Sequence, residues 1–582
     1  MKAENKTIPH YPVDSGKLIS VLILFWANIF MWSCTNPEDA KDTNSDQLAM
    51  ENSEVIDYTS KVPRFEFANT LEEQQEQLKT NPLLIRFKES RKALAKDPHL
   101  PLYHFVSPEN RLNDPNGLCY WQDRWHLFYQ AYPPEDDRQH WGHAVSDDLI
   151  HWTDLPYAIY PDPEYQCYSG STLVENGRVI AMYHGTRVGN MVATSSDPLL
   201  LNWKKVGDKA VIPLTEYSDK LPYHVYDPNI WKKQGVYYSL SGGVANGPGG
   251  KQVASTYLFR SKDLEHWEYL HEFIEGDKFT KVGDDGACPY FWPIGDRYIL
   301  PFYSHMSGGQ YFIGSYDTNR DKFLVTNHGK FNFGASRPGG VHAPSATPDG
   351  NGGVIVIFNM NEAKPTKGWN QIMSLPRRLT LIGKDTLGQE PFGDFESLRY
   401  EHQTVSEMIL PANQEVVLDN IKGNAMEIKV EIDPGDAPMV EINVLRSPDR
   451  KEFTRISFFK ERGMYQGRNY NRSQLKHWNP RFNSILTIES SFSSVLPDVL
   501  SRPPESAPLR LLPGENLQLR IFIDKSVVEV FANGKQCVAM RVYPGLEESV
   551  GVSLRSQGKD SKLISLDSWQ MKSIYGDDNG LP

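Results

Sequence analysis

"SDDLIHW" (residues 146–152) and "SKDLEHW" (residues 261–267) share the pattern Ser-x-Asp-Leu-x-x-Trp at two distant places in the chain. Each copy follows a run of aromatic and β-branched residues, which is typical of a β-strand. A turn sequence that recurs after strands indicates equivalent corners of a repeated β-unit, unless the likeness is a coincidence of turn chemistry. We therefore predict a β-propeller, in which such turns occupy matching places in different blades.

The surrounding sequence is β-rich throughout, and we assign residues 98–402 to this domain. Short apolar runs such as "RVIAMYHGT" (178–186) and "RYILPFYSH" (297–305) alternate with segments rich in Gly, Asp, Asn and Pro. Many short strands at even spacing are typical of an all-β barrel, sandwich or propeller. The prediction is therefore an all-β fold.

A second β-region follows, and we assign it to residues 403–576. Within it "FIDKSVVEVFANGK" (522–535) predicts two strands and then a hairpin turn at Asn533-Gly534, because Asn-Gly tolerates the positive φ angles of a tight turn. These features predict an antiparallel β-sandwich.

Helix formers dominate residues 70–95, where Asn81-Pro82 interrupts the pattern and predicts two short helices. Residues 35–63 are polar and lack periodicity, as expected of a tether. We assign residues 35–97 to this tether and its helices.

The N-terminal residues 1–34 have the features of an export signal. Lys17 precedes an apolar run, residues 18–31, that is shorter than the ~20 residues a transmembrane helix needs. Ser33-Cys34 and the polar residues after it resemble a bacterial lipoprotein processing site. We predict export, with lipid attachment at Cys34 to the periplasmic side or the cell surface. A cleaved or uncleaved signal anchor is the alternative.

Composition narrows the class of ligand. The net charge is −12 and no long Lys/Arg cluster occurs, which argues against a nucleic-acid partner. An acidic, aromatic-rich chain suits a neutral polar ligand such as a sugar. The other cysteines lack Cys-x-x-Cys spacing, and no His, Cys or carboxylate cluster has metal-ligand spacing, so no metal or other cofactor is predicted.

Two Asp-Pro-Asn turns are candidate sites of chemistry. They place Asp114 ("NDPNG", 113–117) and Asp227 ("YDPNI", 226–230) at the mouths of predicted strands. Inner strands of a propeller converge on its axis, so acids at their mouths can meet in one funnel. Paired carboxylates in different environments are what glycoside hydrolysis needs, although a purely structural turn also fits each motif.

The order of several motifs resembles glycoside hydrolase family 32, the invertase, inulinase and levanase family. The stretches that carry this resemblance are "RLNDPNG", "HWGHAVSDDLIHW", "YDPNIW", "ACPYF", "GWNQIMSLPRRLTL" and "RIFIDKSVVEVFANGK", which together span about residues 100–575. The resemblance implies a five-bladed β-propeller followed by a β-sandwich, and an oligo- or polysaccharide substrate.

By this resemblance Asp114 matches the nucleophile and Asp227 matches the stabiliser of the transition state. A covalent glycosyl-enzyme and retention of configuration are implied. Four further positions match residues that line the sugar pocket: Asn113, Gln130, Trp141 and Ser169.

Two positions depart from the family pattern. Tyr226 stands where the family has an arginine that recognises substrate, and Ala287 stands where it has the glutamate that acts as general acid and base. Asp285 is our first candidate for a displaced proton donor, with a solvated turn residue as its alternative. His224 and His342 are weaker candidates for this role.

Three functions remain open from the sequence. A glycosidase acting on a fructan or another furanoside explains why both aspartates are present. A non-catalytic glycan-binding lipoprotein explains Ala287. Fructosyl transfer to a sugar acceptor fits the same residues as hydrolysis.

Overall fold

The computed structural model describes residues 58–214, 222–463 and 483–575. Both predicted helices are present, as α1 (Leu71–Lys79) and α2 (Pro82–Leu94). Thr70 caps α1, and the side chain of Asn81 accepts hydrogen bonds from the first backbone N–H groups of α2, as N-cap residues do. Pro82 opens α2, where its missing N–H costs nothing. Single 3₁₀ turns occur at Pro248–Gly250 and Phe395–Leu398.

From residue 112 to residue 391 the described strands form five sheets of four or five strands each. Pairing within them is antiparallel, except that β14 (Ile274–Glu275) runs parallel to β18 (Lys322–Lys330). The first three sheets contain β1 (Leu112–Trp121), β2 (Arg124–Ala131), β3 (His140–Ser146) and β4 (Thr153–Ile159); β5 (Cys167–Glu175), β6 (Arg178–Gly185), β7 (Gly189–Ser195), β8 (Lys204–Lys205) and β9 (Ile212–Pro213); and β10 (Pro228–Lys233), β11 (Val236–Asn246), β12 (Gln252–Ser261) and β13 (Trp267–Glu272). The other two contain β14 (Ile274–Glu275), β15 (Trp292–Ile294), β16 (Arg297–Ser304), β17 (Gly308–Asp317) and β18 (Lys322–Lys330); and β19 (Val341–Pro348), β20 (Val354–Met360), β21 (Ile372–Met373), β22 (Arg377–Gly383) and β23 (Thr386–Pro391).

Strands of neighbouring sheets contact one another. β5 touches both β1 and β10, and β19 touches both β1 and β16. The first and fifth sheets are therefore in contact although they lie far apart in sequence. This arrangement is consistent with a β-propeller.

The two Ser-x-Asp-Leu-x-x-Trp motifs form equivalent turns, as predicted. In each copy the aspartate, Asp148 or Asp263, accepts hydrogen bonds from the backbone N–H groups two and three residues later. A third copy, "SSDPLLLNW" (195–203), was not recognised in the sequence because extra residues follow its aspartate, Asp197. All three turns join the third and fourth strands of their sheets.

After residue 398 two further sheets pack face to face as a β-sandwich. One sheet contains β24 (Arg399–Val405), β25 (Met408–Leu410), β27 (Ala425–Asp433), β32 (Leu517–Asp524), β33 (Val527–Ala532), β34 (Gln536–Arg541) and β36 (Ser561–Met571). The other contains β26 (Glu415–Lys422), β28 (Met439–Arg446), β29 (Thr454–Phe459), β30 (Ser484–Glu489), β31 (Glu505–Leu509) and β35 (Gly551–Gln557). Ile428 and Ile521 of the first sheet share a buried core with Ile442 and Leu554 of the second. The predicted hairpin turn is present, with positive φ at both Asn533 and Gly534.

A buried ionic network joins the sandwich to the N-terminal sheets. Asp524 accepts from the backbone N–H groups of residues 102, 103 and 104, and its carboxylate lies 2.9 Å from His104 Nδ1. Glu529 contacts His104 Nε2 at 3.3 Å and the Arg377 guanidinium at 2.9 Å. Burial alone would lower the pKa of His104, but the bonds to both carboxylates raise it. Both ring nitrogens of His104 therefore face carboxylate oxygens, an arrangement that favours the charged imidazole.

No helix in the described ranges is long and apolar enough to cross a membrane. The apolar residues 18–31 and Cys34 lie outside the described part of the chain.

Candidate active site

Three strands, β1, β5 and β19, each have a β-bulge at the residue that contributes a side chain to the site. Asp114 lies near the start of β1, where the pairing register shifts between Leu112 and Pro115. β5 and β19 have register shifts at the corresponding place, at Ser169 and His342. Such bulges re-aim side chains and are frequent beside active sites. Three sheets thus direct polar groups towards one point.

The polar groups around Asp114 form one hydrogen-bonded chain. Ser169 Oγ donates to Asp114 Oδ2 at 2.6 Å, and Gln130 Nε2 donates to the same oxygen at 3.3 Å. Gln130 Nε2 also donates to Ser169 Oγ at 2.8 Å, and its Oε1 accepts from Asn113 Nδ2 at 2.9 Å. Four predicted site residues are therefore brought together.

Asp114 is only 4% exposed, yet its surroundings favour the carboxylate. Burial alone would raise the pKa of Asp114. The contacts with His342, whose Nδ1 lies 3.1 Å from Asp114 Oδ1, and with Ser169 outweigh burial and lower this pKa. An anionic Asp114 is what a carboxylate nucleophile requires.

Asp227 lies directly before β10 and meets Asp114 across Cys288. The Cys288 backbone N–H donates to Asp227 Oδ2 at 2.9 Å. Cys288 Sγ lies 3.4 Å from that oxygen and 3.6 Å from Asp114 Oδ2, so the two carboxylates flank one sulfur atom. Cys288 has a φ of 48°, a left-handed conformation that is uncommon outside glycine and that often marks functional sites.

The environment of Asp227 differs from that of Asp114. Burial raises the pKa of Asp227, and the Asp114 charge adds to this effect, while His184 and the Cys288 N–H oppose it. Burial lowers the pKa of His184 in turn. Two neighbouring carboxylates whose pKa values are pushed in opposite directions suit different chemical roles.

Tyr226 occupies the rim next to Asp227. Its side chain is 39% exposed, and its ring centroid lies 6.0 Å from that of His184 and 6.5 Å from that of His224. Tyr226, predicted to replace an arginine that recognises substrate, therefore presents an aromatic ring close to two imidazoles.

Trp141 lies behind the site and has no exposed surface. Its indole N–H donates to the Tyr168 carbonyl at 2.9 Å, which fixes the backbone next to Ser169. This position supports the pocket wall and offers a ligand no surface.

Ala287 lies beside Cys288 and forms an antiparallel bridge with Tyr303. Asp285, predicted as a displaced proton donor, contacts His305: Asp285 Oδ2 lies 2.7 Å from His305 Nδ1, and Oδ1 accepts from the His305 backbone N–H at 2.8 Å. Sequence reasoning missed His305, because the pair is 20 residues apart and neither residue has a local signature.

In the described ranges no group of three or more His, Cys, Asp or Glu side chains is arranged to hold a metal ion. Cys119, Cys167, Cys288 and Cys537 are all buried free thiols. The site chemistry described here rests on carboxylates, imidazoles and hydroxyls.

Models of known protein families match both β-rich regions of this chain. The model of the glycosyl hydrolases family 32 N-terminal domain matches residues 104–391, and that of the family 32 C-terminal domain matches residues 394–570. A levanase from Bacillus subtilis is 26% identical over 82% of this chain and 71% of its own length. A sucrose-6-phosphate hydrolase from Escherichia coli is 29% identical over 77% of this chain and 90% of its own length.

Among solved structures, fructan 1-exohydrolase IIa from Cichorium intybus superposes with a TM-score of 0.70 at 23% identity, over 82% of this chain and 98% of its own. That likeness shows the shared fold. With both family domains matched in order over most of its length, the chain belongs to glycosyl hydrolase family 32 and is a glycoside hydrolase.

Proposed function

We propose that this protein hydrolyses β-fructofuranosidic bonds with retention of configuration. The observation that carries the proposal is the meeting of Asp114 and Asp227 across Cys288. The names of its relatives, a levanase and a sucrose-6-phosphate hydrolase, support a fructose-containing substrate.

Asp114 attacks the anomeric carbon and forms a covalent glycosyl-enzyme, which water then hydrolyses. Ser169 and Gln130 hold the Asp114 carboxylate through its Oδ2 and fix its direction of attack. Asp227 binds sugar hydroxyls and stabilises the positive charge that develops on the ring. Trp141 acts from behind by fixing the strand that carries Ser169.

The fold that supports this site is a five-bladed propeller, each N-terminal sheet being one blade. The contacts of β1 with β5 and with β19 support this count, because they link sheets on both sides of the first one.

A substrate screen tests the proposal. The purified protein and its Asp114→Asn variant are incubated with sucrose, inulin, levan, an aryl β-fructofuranoside and an aryl arabinofuranoside. We expect the wild type to release fructose and the variant to be inactive, with unchanged thermal unfolding. NMR of the first-formed product reads its anomeric configuration. Inversion, or full activity of Asp114→Asn, would contradict the mechanism.

Ala287 favours a second function, glycan binding without catalysis, since the family acid is missing at this position. Calorimetry on the same sugars separates the two functions. Binding of a fructan without any turnover, even of the aryl fructoside, would establish the binding protein.

We also propose that the enzyme is exported and anchored through a lipid on Cys34. This proposal rests on the sequence around Ser33-Cys34 alone. Metabolic labelling with a fatty acid should mark the wild type and not Cys34→Ala, which should be recovered in the soluble exported fraction. Equal fractionation of the two proteins would refute lipid anchoring.

A further inference from the structure

Strand pairing brings His305 close to Ala287, the position at which the family has its catalytic glutamate. Ala287 bridges Tyr303 in antiparallel fashion, with backbone N–O distances of 3.0 and 2.8 Å in the two directions. Two residues further along this pair, Asp285 is opposite His305, and the hydrogen bonds between them show that they are adjacent. His305 therefore follows the bridge partner of Ala287 by two residues, in the turn directly after β16.

The imidazole of His305 also lies next to His342, which contacts Asp114. Its ring centroid is 5.3 Å from that of Tyr303 and 6.2 Å from that of His342. His342 Nδ1 in turn lies 3.1 Å from Asp114 Oδ1. Burial raises the pKa of Asp114; the charge of His305 is one of the contacts that lower it, after those of His342 and Ser169. His305 therefore belongs to the same pocket as the nucleophile.

The contact between Asp285 and His305 differs from the Asp–His contacts in the surface turns, because it joins two separate chain segments. Asp148–His151 and Asp263–His266 pair within one turn, three residues apart. Asp285 and His305 come from two different chain segments, and their side chains are 27% and 37% exposed. The contact thus joins the segment carrying Ala287 to the end of β16. A carboxylate at Nδ1 orients an imidazole and stabilises its protonated form.

We propose that His305 is the proton donor of this enzyme, in place of the glutamate that Ala287 replaces, and that Asp285 positions it. The proposal rests on the proposed function. As Asp114 attacks the anomeric carbon, the bond to the leaving oxygen breaks and that oxygen takes the proton from His305 Nε2. Neutral His305 then accepts a proton from the water that displaces Asp114, and the enzyme returns to its starting state.

The other candidates in the pocket suit this role less well. His342 is 1% exposed, and burial lowers its pKa, so the neutral form is favoured. Asp227 accepts from the Cys288 backbone N–H, which holds its carboxylate beside Cys288 Sγ. Asp284 is buried and its oxygens accept from Ser304 Oγ and the Lys281 N–H, which fixes the turn.

The dependence of rate on the leaving group tests the proposal. Wild type, His305→Gln, Asp285→Asn and Asp227→Asn are assayed on sucrose and on aryl β-fructofuranosides with phenols of graded acidity. His266→Gln is the matched control, because His266 makes the same contacts with Asp263, at 2.8 and 3.0 Å, in an exposed turn. Loss of a proton donor costs about 10²- to 10⁴-fold where the leaving group is poor and little where it is good.

We expect His305→Gln to lose about 10²- to 10⁴-fold on sucrose, and less than about tenfold on the most activated aryl fructoside. Asp285→Asn should show a smaller loss with the same steepened leaving-group dependence, which a merely structural role would not produce. His266→Gln should match the wild type.

If His305→Gln loses the same factor in rate on every substrate, or loses no activity on any, His305 is not the proton donor. If only Asp227→Asn shows a steeper dependence of rate on the acidity of the leaving group, Asp227 is the proton donor. An unchanged slope in Asp285→Asn would refute its positioning role. If the wild type hydrolyses none of the fructosides, the proposed function fails and this assignment fails with it, whereas an active wild type with equal losses removes His305 alone.

Discussion

Removal of the Ser169 hydroxyl should change the pH at which the enzyme loses activity. Ser169 Oγ donates to Asp114 Oδ2 at 2.6 Å in a buried setting, and this bond is one of the contacts that lower the pKa of Asp114. A hydrogen bond to a charged group contributes about 1.5–3 kcal/mol. Ser169→Ala withdraws that stabilisation from the carboxylate and not from its protonated form.

The sign of the effect follows from linkage. Asp114 must be ionised to attack, so activity falls on the acidic side as this carboxyl takes up a proton. Ser169→Ala raises the pKa of Asp114, and the acidic limb of kcat/KM moves to higher pH. On that limb kcat/KM should fall by about 10- to 100-fold relative to wild type, since 1.36 kcal/mol is a factor of ten. On the neutral plateau the loss should be smaller.

The assay is the pH profile of kcat/KM on an aryl β-fructofuranoside, for which a proton donor matters least. Ser171→Ala is the control: Ser171 lies on the same strand and is equally buried, but its hydroxyl accepts from the Ile230 N–H. Its acidic limb should coincide with that of the wild type. An unmoved limb in Ser169→Ala, or an equal shift in Ser171→Ala, would refute the reasoning.

Three further outcomes are expected. Asp227→Ala should lower kcat far more than it raises KM, because its interaction strengthens in the transition state; steady-state kinetics would show a pure KM effect if it only bound the ground state. Gly170→Ala should fail to fold or lose more than about 3 kcal/mol in denaturant unfolding, since a Cβ there would lie 2.2 Å from the Met182 carbonyl oxygen, and an unfolding midpoint like wild type would contradict this packing. Asn81→Ala should cost about 1 kcal/mol through loss of the α2 cap, and no change in the unfolding midpoint would show that α2 contributes nothing to global stability.

Local signals in the sequence predicted local structure well. Asn81-Pro82 both ends one helix and begins the next, because an N-cap side chain and a proline act within a few residues of themselves. The Asn533-Gly534 turn was predictable for the same reason. The third Ser-Asp turn was missed because its extra residues break the spacing, although its aspartate makes equivalent bonds.

The candidate site likewise contains residues that sequence patterns predicted and a contact that they did not predict. Asp114 and Asp227 were found because each opens an Asp-Pro-Asn sequence near the start of a strand. The predicted turns are wrong, since Pro115 and Asn116 lie within β1 and Pro228 and Asn229 lie within β10. The resemblance supplied Gln130 and Ser169. The contact between Asp285 and His305 depends on which two chain segments pair and in which register. That pairing is set by tertiary packing, so no pattern near either residue reports it.

The contacts of Asp524 have a consequence for the order in which the chain folds. His104 and Asp524 are 420 residues apart, so during synthesis the backbone N–H groups of residues 102–104 have no carboxylate to bind until most of the protein exists. Tyr575 adds a still later partner, since its hydroxyl accepts from the Val106 N–H and donates to the His104 carbonyl. Contacts of such long range are slow to form, because the intervening loop must close first. The segment that precedes the first sheet therefore gains these bonds only after residues 524 and 575 have been made, and an N-terminal fragment that ends before residue 524 lacks the groups that bind it.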